Sequence, residues 1–93
     1  MSESSVARLV HYSGNVQGVG FRATAVRIAG RFAVTGWARN VLDGRVELLA
    51  EGAEPEVERF LKALRDSWSD CISNEDIQSL PASGKYKYFD IAR

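Results

Sequence analysis

The sequence predicts an α+β fold: a ferredoxin-like βαββαβ sandwich with two helices on one face of an antiparallel sheet. Three observations predict it. Apolar residues recur at helical spacing in two stretches, Phe21 to Phe32 and Val57 to Trp68. Each stretch lies between segments rich in β-branched and alternating apolar residues. An Asp43-Gly44 turn signal falls between the two strand-like segments that separate the helices. Strand, helix, strand, strand, helix, strand is the split βαβ order.

Val6 to Ser13 reads as the first strand. Gly14-Asn15-Val16-Gln17-Gly18-Val19-Gly20 follows, with three glycines in seven positions, and reads as a loop of wide backbone freedom. Phe21, Ala25, Ile28, Ala29 and Phe32 then mark one face of an amphipathic helix. Val34 to Val41 is the second strand and contains Trp37. In the third, Arg45 to Glu51, Val46, Leu48 and Ala50 share one side. Leu49 interrupts the polar side, which predicts that this side is partly covered.

The second helix carries Val57, Phe60, Leu61, Leu64 and Trp68 on one face, with Pro55 as its first residue. Glu54, Glu56 and Glu58 precede Arg59, Lys62 and Arg65, the order the helix dipole favours. Residues 68–76 are polar and give no clear element. Ile77 to Leu80 and Tyr86 to Ile91 read as a closing pair of strands around Pro81-Ala82-Ser83-Gly84, one of them an extra strand.

The 93 residues, 45% hydrophobic and 26% charged, suit one globular domain, expected over 6–92 with a flexible start at 1–5. No run reaches the ~20 apolar residues of a membrane span, and the start lacks a secretory pattern. One cysteine and one histidine exclude an internal disulfide and a structural zinc site. The expectation is a cytoplasmic monomer with no cofactor or metal, no membrane and no nucleic-acid partner.

The zero net charge conceals an asymmetry. Residues 4–42 hold five arginines and no acid, whereas 43–93 hold seven basic and eleven acidic residues. Either the first half faces an anion, or the halves interleave and the charges mix. The glycine loop sharpens the question. Between a strand and a helix start, glycines let successive N–H groups converge, and the helix end adds unpaired N–H groups. Arg22 falls in the first helical turn, where the dipole disfavours a cation by a few tenths to ~1 kcal/mol. A dianion held between the N–H groups and the guanidinium would remove that conflict. The spacing matches neither a Walker loop nor a dinucleotide fingerprint.

Gly14-Asn15-Val16-Gln17-Gly18-Val19-Gly20-Phe21-Arg22, Gly36-Trp37-Ala38-Arg39-Asn40 and Asp43-Gly44-Arg45-Val46-Glu47 together resemble the acylphosphatases. The family signatures are V-Q-G-V-x-F-R, G-W-V-x-N and D-G-x-V-E; Phe89-Asp90-Ile91 also resembles the family's F-x-I ending. The chain departs in having Ala38 for a valine, and Asp66 to Ile72 where a G-P-x-A-x-V-like segment often stands. The resemblance implies metal-free hydrolysis of small acyl phosphates to a carboxylate and inorganic phosphate. It places Asn15, Val16, Gln17, Gly18, Val19 and Gly20 as the backbone cradle, Arg22 as the phosphate-binding arginine and Asn40 as the residue that holds the attacking water.

Two other functions are weighed. One is a domain that binds phosphate or carbamoyl phosphate without turnover, against which stands the presence of both Arg22 and Asn40. The other is RNA binding, because Val19-Gly20-Phe21-Arg22 loosely matches an RNP motif; that motif needs aromatics on a central strand, and here the stretch opens a helix. Among the remaining residues, Gln17 is expected to be positional, His11 structural, Arg39 solvated on the sheet face opposite Asn40, and Cys71 inert. Trp37 and Trp68 are expected in the core or between helix and sheet.

Overall fold

The structure, a computed structural model, describes Ser5 to Ala92. Its elements run β1 (Ser5–Gly14), α1 (Phe21–Ala29), β2 (Val34–Asn40), β3 (Val46–Ala53), α2 (Glu54–Ser67), β4 (Ile72–Pro81) and β5 (Phe89–Ile91). The expected flexible start lies outside the described residues except for Ser5, which already pairs with Ala53. The five strands form one sheet in the order β4-β1-β3-β2-β5.

Alternation decides which side of each strand meets the helices. Val10 and Tyr12 of β1, Val34 and Ala38 of β2, and Val46, Leu48 and Ala50 of β3 join Phe21, Ala25 and Ile28 of α1 and Val57, Phe60, Leu61 and Leu64 of α2 in one core. The helical faces read from apolar spacing are the faces that are buried. Burying a side chain such as Leu48 or Phe60 contributes about 1.5–3 kcal/mol. Trp68 packs against this core as expected, edge-on to Phe21.

The C-terminal third corrects the sequence reading twice. Ile77 to Leu80 and Tyr86 to Ile91 are not a closing pair. β4 starts at Ile72, inside the unassigned stretch, and runs antiparallel to β1; β5 lies at the opposite edge, parallel to β2. The sheet is therefore mixed rather than wholly antiparallel. β4 is an edge strand with no side chain classed as buried, so its sequence has no need of apolar alternation. Two contacts settle the route between the edges. Glu51, buried on the sheet face away from the helices, accepts hydrogen bonds from the Ser83 and Gly84 N–H groups and the Ser83 hydroxyl at 2.9–3.1 Å. The Trp37 indole N–H donates to the Tyr86 hydroxyl at 3.1 Å.

Trp37 thus belongs to the face away from the helices, a correction to its expected place in the core. Leu49, opposite Trp37 in the β2–β3 register, is buried on this face, as its interruption of the polar pattern predicts. Arg39 is also on this face, but it is engaged rather than simply solvated: it ion-pairs with Glu47 and lies 5.1 Å from the Trp37 ring centre.

Glu47 joins β1 to β2 across β3. Its Oε2 is 2.8 Å from His11 Nε2, and its Oε1 accepts from Arg39 Nε at 2.7 Å. Burial works against its charge, yet the hydrogen bonds from His11 and Arg39 outweigh that and hold its carboxyl below the ordinary glutamate value of 4.5. A pKa lowered by folding stabilises the folded state above the unfolded value and ceases to do so as pH falls through the folded one. Glu47→Gln is therefore expected to destabilise the protein at pH 7, with the difference from wild type shrinking below pH 4.5. Urea denaturation of both proteins from pH 7 to pH 3 checks this; a constant difference would contradict it.

Candidate active site

Between β1 and α1 the chain passes through the glycine loop. Gly14, at φ 118°, ends β1 where the chain runs against the Cys71 backbone, leaving no room for a Cβ. Asn15 N–H donates to the Cys71 carbonyl at 2.8 Å, and Val16 N–H donates to Gly14 at 3.0 Å. From Gln17 to Ala23, no backbone N–H donates a well-formed bond to another backbone group among the described residues. Thr24 N–H is the first to resume, to Gly20 at 2.9 Å. Gly20 is the helix N-cap in the left-handed region, at φ 88°, with no side-chain cap. That conformation is open to glycine at little cost and turns the loop into α1 with its first N–H groups free.

A pocket of about 190 Å³ lies against this stretch, lined by Val16, Gly18, Gly20, Phe21, Arg22, Ala23 and Ile91. Arg22 makes no ion pair among the described residues, and the first turn of α1 carries no acid. Part of the charge asymmetry disappears on folding. Arg8 pairs with Glu54 and Glu58 of α2, and Arg39 with Glu47, so those charges do interleave. Arg22 stays beside the free N–H groups. The arrangement offers what a small anion needs: backbone N–H groups without backbone acceptors, a helix N-terminus and one guanidinium.

The site residues expected from the sequence do not all take the same place. Val16, Gly18, Gly20 and Arg22 line the pocket together. Asn15, Gln17 and Val19 are in the same loop without lining it, and the Asn15 and Val16 N–H groups are already used within the fold. Asn40 is outside the lining, exposed at the end of β2. Ile91, from β5, is a lining residue that the sequence reading did not assign to the site; only its F-x-I ending marked it.

Gln17 connects the loop to Asn40's end of the sheet. Its side-chain amide donates to the Val41 carbonyl at 2.7 Å and the Arg45 carbonyl at 2.8 Å, across the turn between β2 and β3. Asp43 braces that turn, accepting from Arg45 N–H at 3.1 Å and Arg45 Nε at 2.8 Å. The positional role expected of Gln17 is therefore built from two bonds. Gln17→Ala leaves two partly buried carbonyls without these donors, and is expected to cost about 1–3 kcal/mol and to lower turnover by loosening the loop against Asn40. Thermal denaturation and initial rates check it; an unchanged rate would contradict the coupling.

The fold and pocket define a small ferredoxin-like α+β domain with a pocket beside the glycine-rich loop at the start of α1. Comparison with known proteins identifies the family. The acylphosphatase family model matches residues 9–91. The acylphosphatase of Methylococcus capsulatus is 38% identical over 82 residues, 87% of this chain and 89% of that one. That of Anaeromyxobacter sp. is 52% identical over 62 residues, covering 67% and 66%. Among solved structures, the Bacillus subtilis acylphosphatase superposes with a TM-score of 0.84 at 28% identity, covering 95% of this chain and 99% of that one. The protein described as T. kodakarensis HypF superposes with a TM-score of 0.81 at 29% identity, over 95% of this chain but 12% of that one. The chain belongs to the acylphosphatase family and is an enzyme of that class, a hydrolase of acyl phosphates. Among the described residues, no helix is long and apolar enough to cross a membrane.

Proposed function

We propose that the pocket binds the phosphate of a small acyl phosphate and that Arg22 and Asn40 carry its metal-free hydrolysis. The observation that carries this reading is the uninterrupted run of N–H groups without backbone acceptors from Gln17 to Ala23, beside an arginine with no carboxylate partner. Phosphate oxygens accept from these N–H groups and from Arg22. The Asn40 amide orients a water for attack on phosphorus; it can hold the water but cannot take its proton at ordinary pH. The P–O bond to the acyl group breaks as the new P–O bond forms, and the electron pair leaves on a carboxylate. That leaving group's conjugate acid has a pKa of about 4, so no general acid is required. The water's proton passes to the substrate phosphate. Phosphoryl transfer of this kind depends on positioning and charge stabilisation.

The test is hydrolysis of benzoyl phosphate by the purified protein with a chelator present, beside Asn40→Ala. Turnover that withstands the chelator and is lost in the variant supports the reading. Turnover that the chelator abolishes refutes the metal-free mechanism. The alternative is binding of phosphate or carbamoyl phosphate without turnover; inorganic phosphate binding with no hydrolysis by the wild type would establish it. The expectations of a cytoplasmic monomer and no nucleic-acid partner are part of the same proposal. Val19 and Gly20 lead into α1 and Phe21 and Arg22 open it, so the stretch is not on a central strand, which supports the last of these.

A further inference from the structure

The two helices treat their cations differently. Every cation of α2 has an acid: Arg59 pairs with Glu56, Lys62 with Asp66 and Arg65 with Glu75. α1 contains no acid at all. Arg22 and Arg27 of α1, and Arg31 just past its end, make no ion pair among the described residues. Arg27 and Arg31 are both exposed. The helix dipole favours Arg27 in the last turn, but that accounts for a cation there and not for the want of a carboxylate beside it.

Helix geometry relates Arg27 to the pocket. Ala23, exposed, lines the pocket. Arg27 is four residues on and shares its helical face, about 6 Å further along the axis. The Cα–Cβ bond of a helical residue tilts toward the N-terminus, so the Arg27 side chain leans back toward Ala23. Neighbouring elements bring little to neutralise it. β5 packs beside α1 and carries Asp90. Alternation turns Asp90 to the far sheet face, because Phe89 meets the core and Ile91 lines the pocket. Glu56 of α2 reaches the chain beyond α1 at the Ala33 N–H, and it is shared with Arg59.

We propose that Arg27 is a second cation serving the anion pocket without touching the substrate: its field draws the phosphate dianion in and strengthens its binding, with a weaker contribution from Arg31. The inference rests on the acyl phosphate reading of that pocket. The helical rise puts the Arg27 charge about 10 Å from a phosphate beside Ala23. One charge at that distance from a dianion in water changes affinity about threefold at 10 mM ionic strength and about 1.5-fold at 150 mM. The phosphate carries its charge both before and during transfer. The attraction therefore acts on ground and transition states alike, and lowers KM without raising kcat.

The experiment measures kcat and KM for benzoyl phosphate, and inhibition by inorganic phosphate, at 10 and 150 mM ionic strength. The proteins are wild type, Arg27→Glu, Arg27→Gln, Arg27→Lys and Arg31→Glu. Charge reversal at Arg27 is expected to lower kcat/KM about eightfold at low salt and about twofold at high salt, all of it in KM. The inhibition constant of phosphate should rise by the same factor. Arg27→Gln should show about half the logarithm of that effect, Arg31→Glu about a threefold loss at low salt, and Arg27→Lys wild-type values. A structural defect would lower kcat too, and salt would not restore it; that outcome overturns the proposal. So does an Arg27→Glu or Arg27→Gln variant with the wild-type KM and salt dependence, which leaves the acyl phosphate reading intact. A wild type that neither hydrolyses benzoyl phosphate nor binds phosphate overturns both.

Discussion

Arg22→Gln is expected to lower kcat/KM by about a thousandfold or more while leaving the fold as stable as the wild type or more so. The two effects share one cause. Arg22 is the second residue of α1, where the unpaired N–H groups already create positive potential and no acid lies in the first turn. Removing a cation there relieves about 0.3–1 kcal/mol of unfavourable interaction. In the proposed function the same cation faces the substrate phosphate and stabilises charge in the transition state. Loss of one preorganised electrostatic contact costs about 3–4 kcal/mol of barrier, or 10²–10³ in rate, and Arg22 also contributes to binding. Asn40→Ala separates the roles. Its expected loss is about a hundredfold or more in kcat, with inorganic phosphate binding retained, because Asn40 does not line the phosphate pocket. Steady-state kinetics, phosphate inhibition and urea denaturation of the three proteins check all of this. An Arg22→Gln variant that binds phosphate like the wild type would refute the arginine's role.

Phe21→Ala is expected to cost about 3–5 kcal/mol of stability, enough to threaten folding at 37 °C. Phe21 is the first residue of α1 and 1% exposed. Its ring meets Tyr12 of β1 edge-on at 5.0 Å and Trp68, at the end of α2, at 5.3 Å. Such pairs contribute roughly 0.5–1.5 kcal/mol each beyond the area they bury. Tyr12 cannot adapt by ionising, since burial first, and the nearby Glu75 charge second, push its phenol far above the ordinary tyrosine range. The cavity would open directly beneath Gly20 and Arg22, so residual activity at low temperature is expected to fall further than the folded fraction. Phe21→Leu fills more of the space and should retain most of both. Calorimetry with rates measured well below the melting temperature checks the prediction; an alanine variant within 1 kcal/mol of wild type would contradict it.

What could be read in the sequence was what depends on local pattern. The two helices follow from 3.6-residue apolar spacing, and β1, β2 and β3 from segments whose two faces differ. The loop and its proposed anion role follow from glycines before a helix that starts with a misplaced cation. Gln17 could be suspected only as positional, because its acceptors are 24 and 28 residues away. Ile91 entered the site for a similar reason: β5 reaches α1's pocket by pairing with β2, a partner some fifty residues distant.

The sequence by itself determined the fold class, the two helical faces, the loop and the arginine at its end, because each is encoded within a few residues of itself. Tertiary structure decided the rest. It sent β4 and β5 to opposite edges, set Trp37 on the face away from the helices and brought Ile91 to the pocket beside the glycine loop. The physical reason is the range of the contacts involved. A buried Glu51 carboxylate needs donors, and it finds them at Ser83 and Gly84; a half-buried indole N–H finds Tyr86. Such polar groups must be paired once they leave water, but no periodicity along the chain announces which distant residue will pair them.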